Sequence, residues 1–80
     1  MITTGIDWSG CPIIERDPEK MGGEPTVRAW RITPDSIVIN YDSGLSVDEI
    51  IEQFPALPEQ DIRTVLNYAV QQGFLEGPIR

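Results

Sequence analysis

Four side chains in one stretch have the types and the spacing to read base-pair edges. Gln60, Arg63, Thr64 and Asn67 recur at i, i+3, i+4 and i+7, which places them on one face of a helix. Side-chain amides pair with adenine, a guanidinium pairs with guanine, and a hydroxyl pairs with several bases. Arg28 and Arg31 lie upstream. From there they could supply the sequence-blind phosphate contacts that set register on a duplex. Glu59 and Asp61 flank Gln60 and would meet phosphates unfavourably. The plain alternative is a solvated polar face. In that reading Arg63 only pairs with Glu59, one turn earlier, for about 0.3–0.5 kcal/mol.

No other chemistry finds a comparable set of residues. The chain has no histidine and no Ser or Cys beside an identifiable base, so no enzymatic constellation forms. The carboxylates lie mostly at predicted helix starts, where the helix dipole accounts for them. Gly22-Gly23 lacks the Lys and Ser/Thr that open a phosphate-binding helix and reads as a loop between strands. The expectation is a non-enzyme with no metal, no cofactor and no small-molecule substrate. Cys11 is the single cysteine and reads as a small apolar filler. A lone thiol with no leader pattern fits a reducing, cytoplasmic setting. No apolar run approaches a membrane span.

Charge narrows the partners. Six Lys and Arg stand against thirteen Asp and Glu, a net of −7. That disfavours the whole molecule as a non-specific binder of nucleic acid and makes the placement of the cations decisive. Arg16, Lys20, Arg28 and Arg31 all precede residue 32, and only Arg63 and Arg80 follow. Acids crowd the second half.

The elements that must position these residues are legible. Residues 45–73 hold two helical patterns around the break Phe54-Pro55-Ala56-Leu57. Val47, Ile50, Ile51 and Phe54 form one apolar stripe, and Ile62, Val65, Leu66 and Ala69 form the other. Ser46 and Glu49 make a capping box, with Leu45 and Ile50 as a hydrophobic staple. Pro58 opens the second helix over 58–72 and Gly73 stops it. Two helices across so short a turn read as a helix-turn-helix, or as a corner that only builds a core. A third helix begins at Thr33-Pro34-Asp35, with Ile37, Val38 and Tyr41 on one side and Gly44 as its stop.

Residues 13–16 and 26–32 are strand candidates, joined by the turn residues Asp17-Pro18-Glu19 and the Gly22-Gly23 loop. In the second strand Arg28, Trp30 and Ile32 share a face opposite Val27, Ala29 and Arg31. Residues 1–12 read as an arm anchored by Ile6 and Trp8, 13–75 as the domain, and 76–80 as a tail. Phe74 and Leu75 are expected to fold back onto the core or a partner. The fold class is mainly α: a three-helix helix-turn-helix with a short N-terminal β-hairpin. A lone hairpin is marginal in water, and a chain of this length has a small core. Both point to a homodimer, with Val27, Trp30 and Ile32 at the strand contact and Trp8 and Phe74 as further interface candidates.

The stretch 14–69 resembles the DUF433 family, small bacterial domains. The matching motifs are Asp17-Pro18, Gly22-Gly23-Glu24-Pro25, Val27-Arg28-Ala29-Trp30-Arg31-Ile32, Gly44-Leu45-Ser46, Ile50-Ile51, Phe54-Pro55-Ala56-Leu57, Asp61-Ile62 and Tyr68-Ala69, in order and at the family's spacing. The resemblance implies a homeodomain-like helix-turn-helix of three helices after a short β element, assembled as a dimer. It also implies an antitoxin-like, DNA-binding role alongside a PIN-like nuclease toxin. The chain departs from the family at Glu24, where Lys is common, at Ala29-Trp30, where Gly-Thr is common, and at Pro58, where Ser or Thr usually opens the last helix. The first departure removes a cation and the second adds an aromatic.

Two functional readings follow. One is an antitoxin-like regulator that binds operator DNA and docks a PIN-like toxin. The other is an acidic, dimeric protein-interaction module without DNA binding, using Trp8, Trp30, Phe74 and Leu75 against a basic partner. A continuous basic strip around Arg28, Arg31 and Arg63 would favour the first; its absence would favour the second.

Overall fold

A computed structural model of the chain describes residues 4–16, 19, 23–28, 30 and 32–79. Among these residues the order is a 3-10 turn at Trp8–Gly10, strands β1 (Ile14–Arg16) and β2 (Pro25–Val27), and helices α1 (Pro34–Asp42), α2 (Val47–Gln53) and α3 (Glu59–Gln71). The strands pair antiparallel, Ile14 opposite Val27 and Arg16 opposite Pro25. The mainly α architecture with a short hairpin is therefore present as expected.

The helix ends follow local chemistry. Thr33 Oγ1 accepts the Ser36 amide at 3.3 Å and caps α1. Ser46 and Glu49 form a reciprocal capping box at α2, with both bonds made. Pro58 gives α3 no side-chain cap, so Glu59 and Asp61 in the first turn meet the dipole instead. α1 and α3 close alike. The Gly44 amide bonds to the Tyr41 carbonyl and the Leu45 amide to the Asn40 carbonyl. Gly73 and Phe74 do the same to Val70 and Ala69. This closure needs a left-handed residue after the helix, which Gly44 (φ 116°) and Gly73 (φ 82°) provide.

The core gathers Ile37 and Val38 from α1, Val47 and Ile50 from α2, Leu57 from the turn, and Ile62, Val65, Leu66 and Ala69 from α3. Tyr41, Ile51 and Phe54 are partly buried against it. Leu75 folds back and is buried, whereas Phe74 beside it stays exposed.

One expectation needs correction. The second strand does not run over 26–32; it ends at Val27. Arg28 adopts φ 50°, its amide donates to the Ile13 carbonyl at 2.7 Å, and the Trp30 amide turns back to the Val27 carbonyl at 3.0 Å. The Val27 amide in turn reaches the Ile32 carbonyl at 2.8 Å. The apolar alternation is thus folded into a turn, and Trp30 and Ile32 do not extend a strand. Asp17, Pro18, Gly22, Ala29 and Arg31 lie outside the described residues.

Residues 4–11 are held down through Trp8, one of the two anchors expected of this segment. The Trp8 side chain is only 1% exposed. Its Nε1 donates to Asp35 Oδ1 at 3.0 Å, and that same oxygen accepts from Thr4 Oγ1 at 2.6 Å and the Thr4 amide at 3.3 Å. The indole stacks on Tyr68 of α3, with centroids 5.3 Å apart. Tyr68 Oη donates to the Asp7 carbonyl at 2.7 Å. Asp7 accepts the Ser9 amide and caps the 3-10 turn. The segment therefore straps α1 to α3.

Candidate nucleic-acid interface

α3 turns Ile62, Val65, Leu66 and Ala69 inward. Its 3.6-residue period then presents Gln60, Arg63, Thr64, Asn67 and Gln71 on the remaining surface. Gln60, Asn67 and Gln71 are exposed, while Arg63 and Thr64 are half-buried. Thr64 Oγ1 donates to the Gln60 carbonyl at 2.9 Å, so its proton is held by its own helix. Arg63 Nε donates to Glu59 Oε2 at 2.8 Å. Among the described residues no hydrogen bond engages the side-chain amides of Gln60, Asn67 or Gln71. A shallow groove of about 290 Å³ runs between Thr64, Asn67 and Gln71 on one wall and Gly10, Cys11 and Pro12 on the other.

Arg28 reaches α3 from the hairpin. Its Nε and Nη2 fork onto the two oxygens of Asp61 at 2.8 and 3.3 Å. Asp61 has a side chain 6% exposed, while that of Arg28 is 53% exposed. A carboxylate taken so far from water needs a countercharge, and Arg28 supplies it. The hydrogen bond to Asp61, then its charge, hold the Arg28 guanidinium above its ordinary pKa. The result is a tie between the hairpin turn and the first turn of α3. Asp61 therefore faces inward, not toward a phosphate.

The other candidate residues divide. Trp8 and Val27 are core residues of this chain, so neither is offered to a partner. Ile32 is half-buried. Trp30 and Phe74, 42% and 39% exposed, are the large hydrophobic side chains left outside among the described residues. Arg31 lies outside the described residues. Arg28 is thus paired with Asp61 and Arg63 with Glu59. Burial pushes the Cys11 thiol above its ordinary pKa. No helix among the described residues is long and apolar enough to cross a membrane, and no group of three or more His, Cys, Asp or Glu there could hold a metal ion.

Sequence reasoning missed Gln71, Asp35 and the Arg28–Asp61 pair. Each left a signal. Gln71 continues the Gln60–Asn67 face one turn on. Asp61 and Asp35 sit four and three residues before the buried Val65 and Val38. An acid on a buried stripe implies a partner.

The comparisons with known proteins bear on the same stretch. A family model described as "Protein of unknown function (DUF433)" matches residues 14–69, from β1 through most of α3. The chain is similar to "Uncharacterized protein y4eO" of Sinorhizobium fredii (strain NBRC 101917 / NGR234), 32% identical over 57 residues, which cover 71% of this chain and 26% of that protein. The chain thus spans about a quarter of that relative's length. No solved structure matches it.

Proposed function

This chain belongs to the DUF433 family, and from that premise we propose that it is an antitoxin-like, non-enzymatic regulator of the cytoplasm. As a homodimer it reads operator DNA through α3 and docks a PIN-like nuclease toxin. The observation that carries the DNA reading is the α3 face. Gln60, Asn67 and Gln71 hold out unbonded amides on the second helix of a capped, tightly turned pair. Gln60, Arg63, Thr64 and Asn67 have the i, i+3, i+4, i+7 spacing of a reading helix laid in a major groove. Arg63 swings from its exposed pair with Glu59, which is worth only a few tenths of a kcal/mol. Arg28 and Arg31 supply phosphate contacts, and Arg28 also aims the start of α3 by its bond to Asp61. The acidic remainder, with exposed Trp30 and Phe74, suits a basic protein surface.

The pairing of Arg28 and Arg63 with acids favours a second reading, an acidic interaction module without DNA binding. Retention of the protein's own upstream DNA, with and without a neighbouring nuclease, decides between them. The first reading expects a shallow salt slope, because few cations release counterions, and half-sites about one helical turn apart. Arg63→Ala should weaken the cognate site more than random DNA, and Arg28→Ala should weaken both alike. No retention at low salt, or retention that neither substitution alters, would leave α2 and α3 as scaffold and the interaction module as the function.

A further inference from the structure

We propose that Gln60 and Asn67 each read an adenine, so that the half-site carries two A·T pairs about three base steps apart. The inference rests on α3 entering the major groove. Adenine offers a donor at N6 and an acceptor at N7, and a side-chain amide matches both at once. On the face that α3 presents, the groups free for such a pairing are amides. The Arg28 guanidinium is forked onto Asp61. Arg63 Nε is bonded back along the helix to Glu59. The Thr64 hydroxyl proton is held by the Gln60 carbonyl. Arg63 reaches a base only by leaving its exposed pair with Glu59, whereas the two amides are already unbonded on this face.

The spacing follows from helix geometry. Seven residues separate Gln60 from Asn67, a rise of about 10.5 Å at 1.5 Å per residue. Bases in a strand step by about 3.4 Å, so the two amides lie about three steps apart. Both are uncharged, and neither adds to the repulsion between a chain of charge −7 and phosphate. With few phosphate contacts available, base-edge hydrogen bonds carry a larger share of the selectivity.

The test is selection of randomised duplexes by the full chain at low salt, followed by sequencing of the retained pool. The expected result is two enriched A·T pairs about three steps apart in each half-site. Asn67→Ala should abolish the preference at one of them, a loss of about fivefold to a hundredfold in discrimination, and leave the other intact. Gln60→Ala should do the reverse, and Asn67→Arg should convert its adenine to guanine. Both side chains are exposed, and circular dichroism of each variant checks that its helices persist. Retention with guanine enriched, or with no base preferred at these positions, overturns the adenine assignment and leaves DNA binding standing. Failure to retain any duplex overturns the DNA reading itself and this inference with it.

Discussion

Replacing Asp35 by alanine tests whether the N-terminal strap is part of the fold. Asp35 Oδ1 accepts from Trp8 Nε1, Thr4 Oγ1 and the Thr4 amide. Alanine leaves the indole N–H without an acceptor at a site that is almost fully buried. An orphaned buried donor costs about 1–3 kcal/mol. Loss of an acid from the first turn of α1 adds about 0.3–1 kcal/mol. The Thr4 groups are only part-buried and recover bonds to water, so they add little. The total is about 1.3–4 kcal/mol, against a stability of about 4–12 kcal/mol for a chain of this length. Each kcal/mol moves the midpoint about 4–8 °C in a domain of this size, so Tm should fall by about 5–30 °C. Asp35→Asn keeps an acceptor for the indole and should cost less than about 1 kcal/mol. Thermal unfolding followed by circular dichroism gives Tm. A Trp30→Phe background leaves Trp8 as the only tryptophan, and its fluorescence reports the strap directly. If Asp35→Ala melts with the parent, or Asn harms as much as Ala, the account of the strap is wrong.

Three further outcomes are expected. Leu66→Ala removes a fully buried side chain at the centre of α3 and should cost about 2–5 kcal/mol in chemical denaturation; unchanged stability would take Leu66 out of the core. Cys11 is buried and its thiol is pushed up in pKa, so iodoacetamide at neutral pH should label the native protein slowly, through detachment of the segment that holds it, and rapidly in denaturant; labelling of the native protein as fast as in denaturant would contradict that burial. Sedimentation equilibrium at tens of micromolar should give a homodimer, and a monomer there would remove the two-half-site arrangement.

What the sequence disclosed was local. Thr33, Ser46 with Glu49, Gly44 and Gly73 act within one turn of themselves, and each helix end sits where their chemistry puts it. The stripes of α2 and α3 are equally short-range, so most of the core was legible. The contacts that were not legible join distant positions. Asp35 was read as a helix-start acid, correctly, but a helix start does not name Trp8 as its partner. The alternation in 26–32 was read as a strand, but Arg28 stands in a left-handed turn and bonds a carboxylate 33 residues away. The candidate reading face was visible through its spacing. That both of its neighbouring arginines would be tied to acids was visible only for Arg63, whose partner is one turn away.

The strap also has a consequence for the order of folding. α2 and α3 meet across a few residues of turn, whereas Thr4 meets Asp35 across 31 positions and Tyr68 meets Asp7 across 61. Loop closure grows more costly with the length enclosed, so the helices assemble first and the first segment closes over them last. The reverse holds in the native state. The segment carries few elements of its own, and its detachment is expected to cost less than unfolding of the helices. Amide exchange through Trp8–Gly10 then outruns exchange in α3. Each detachment bares an aromatic slot beside Tyr68 while the three helices remain intact.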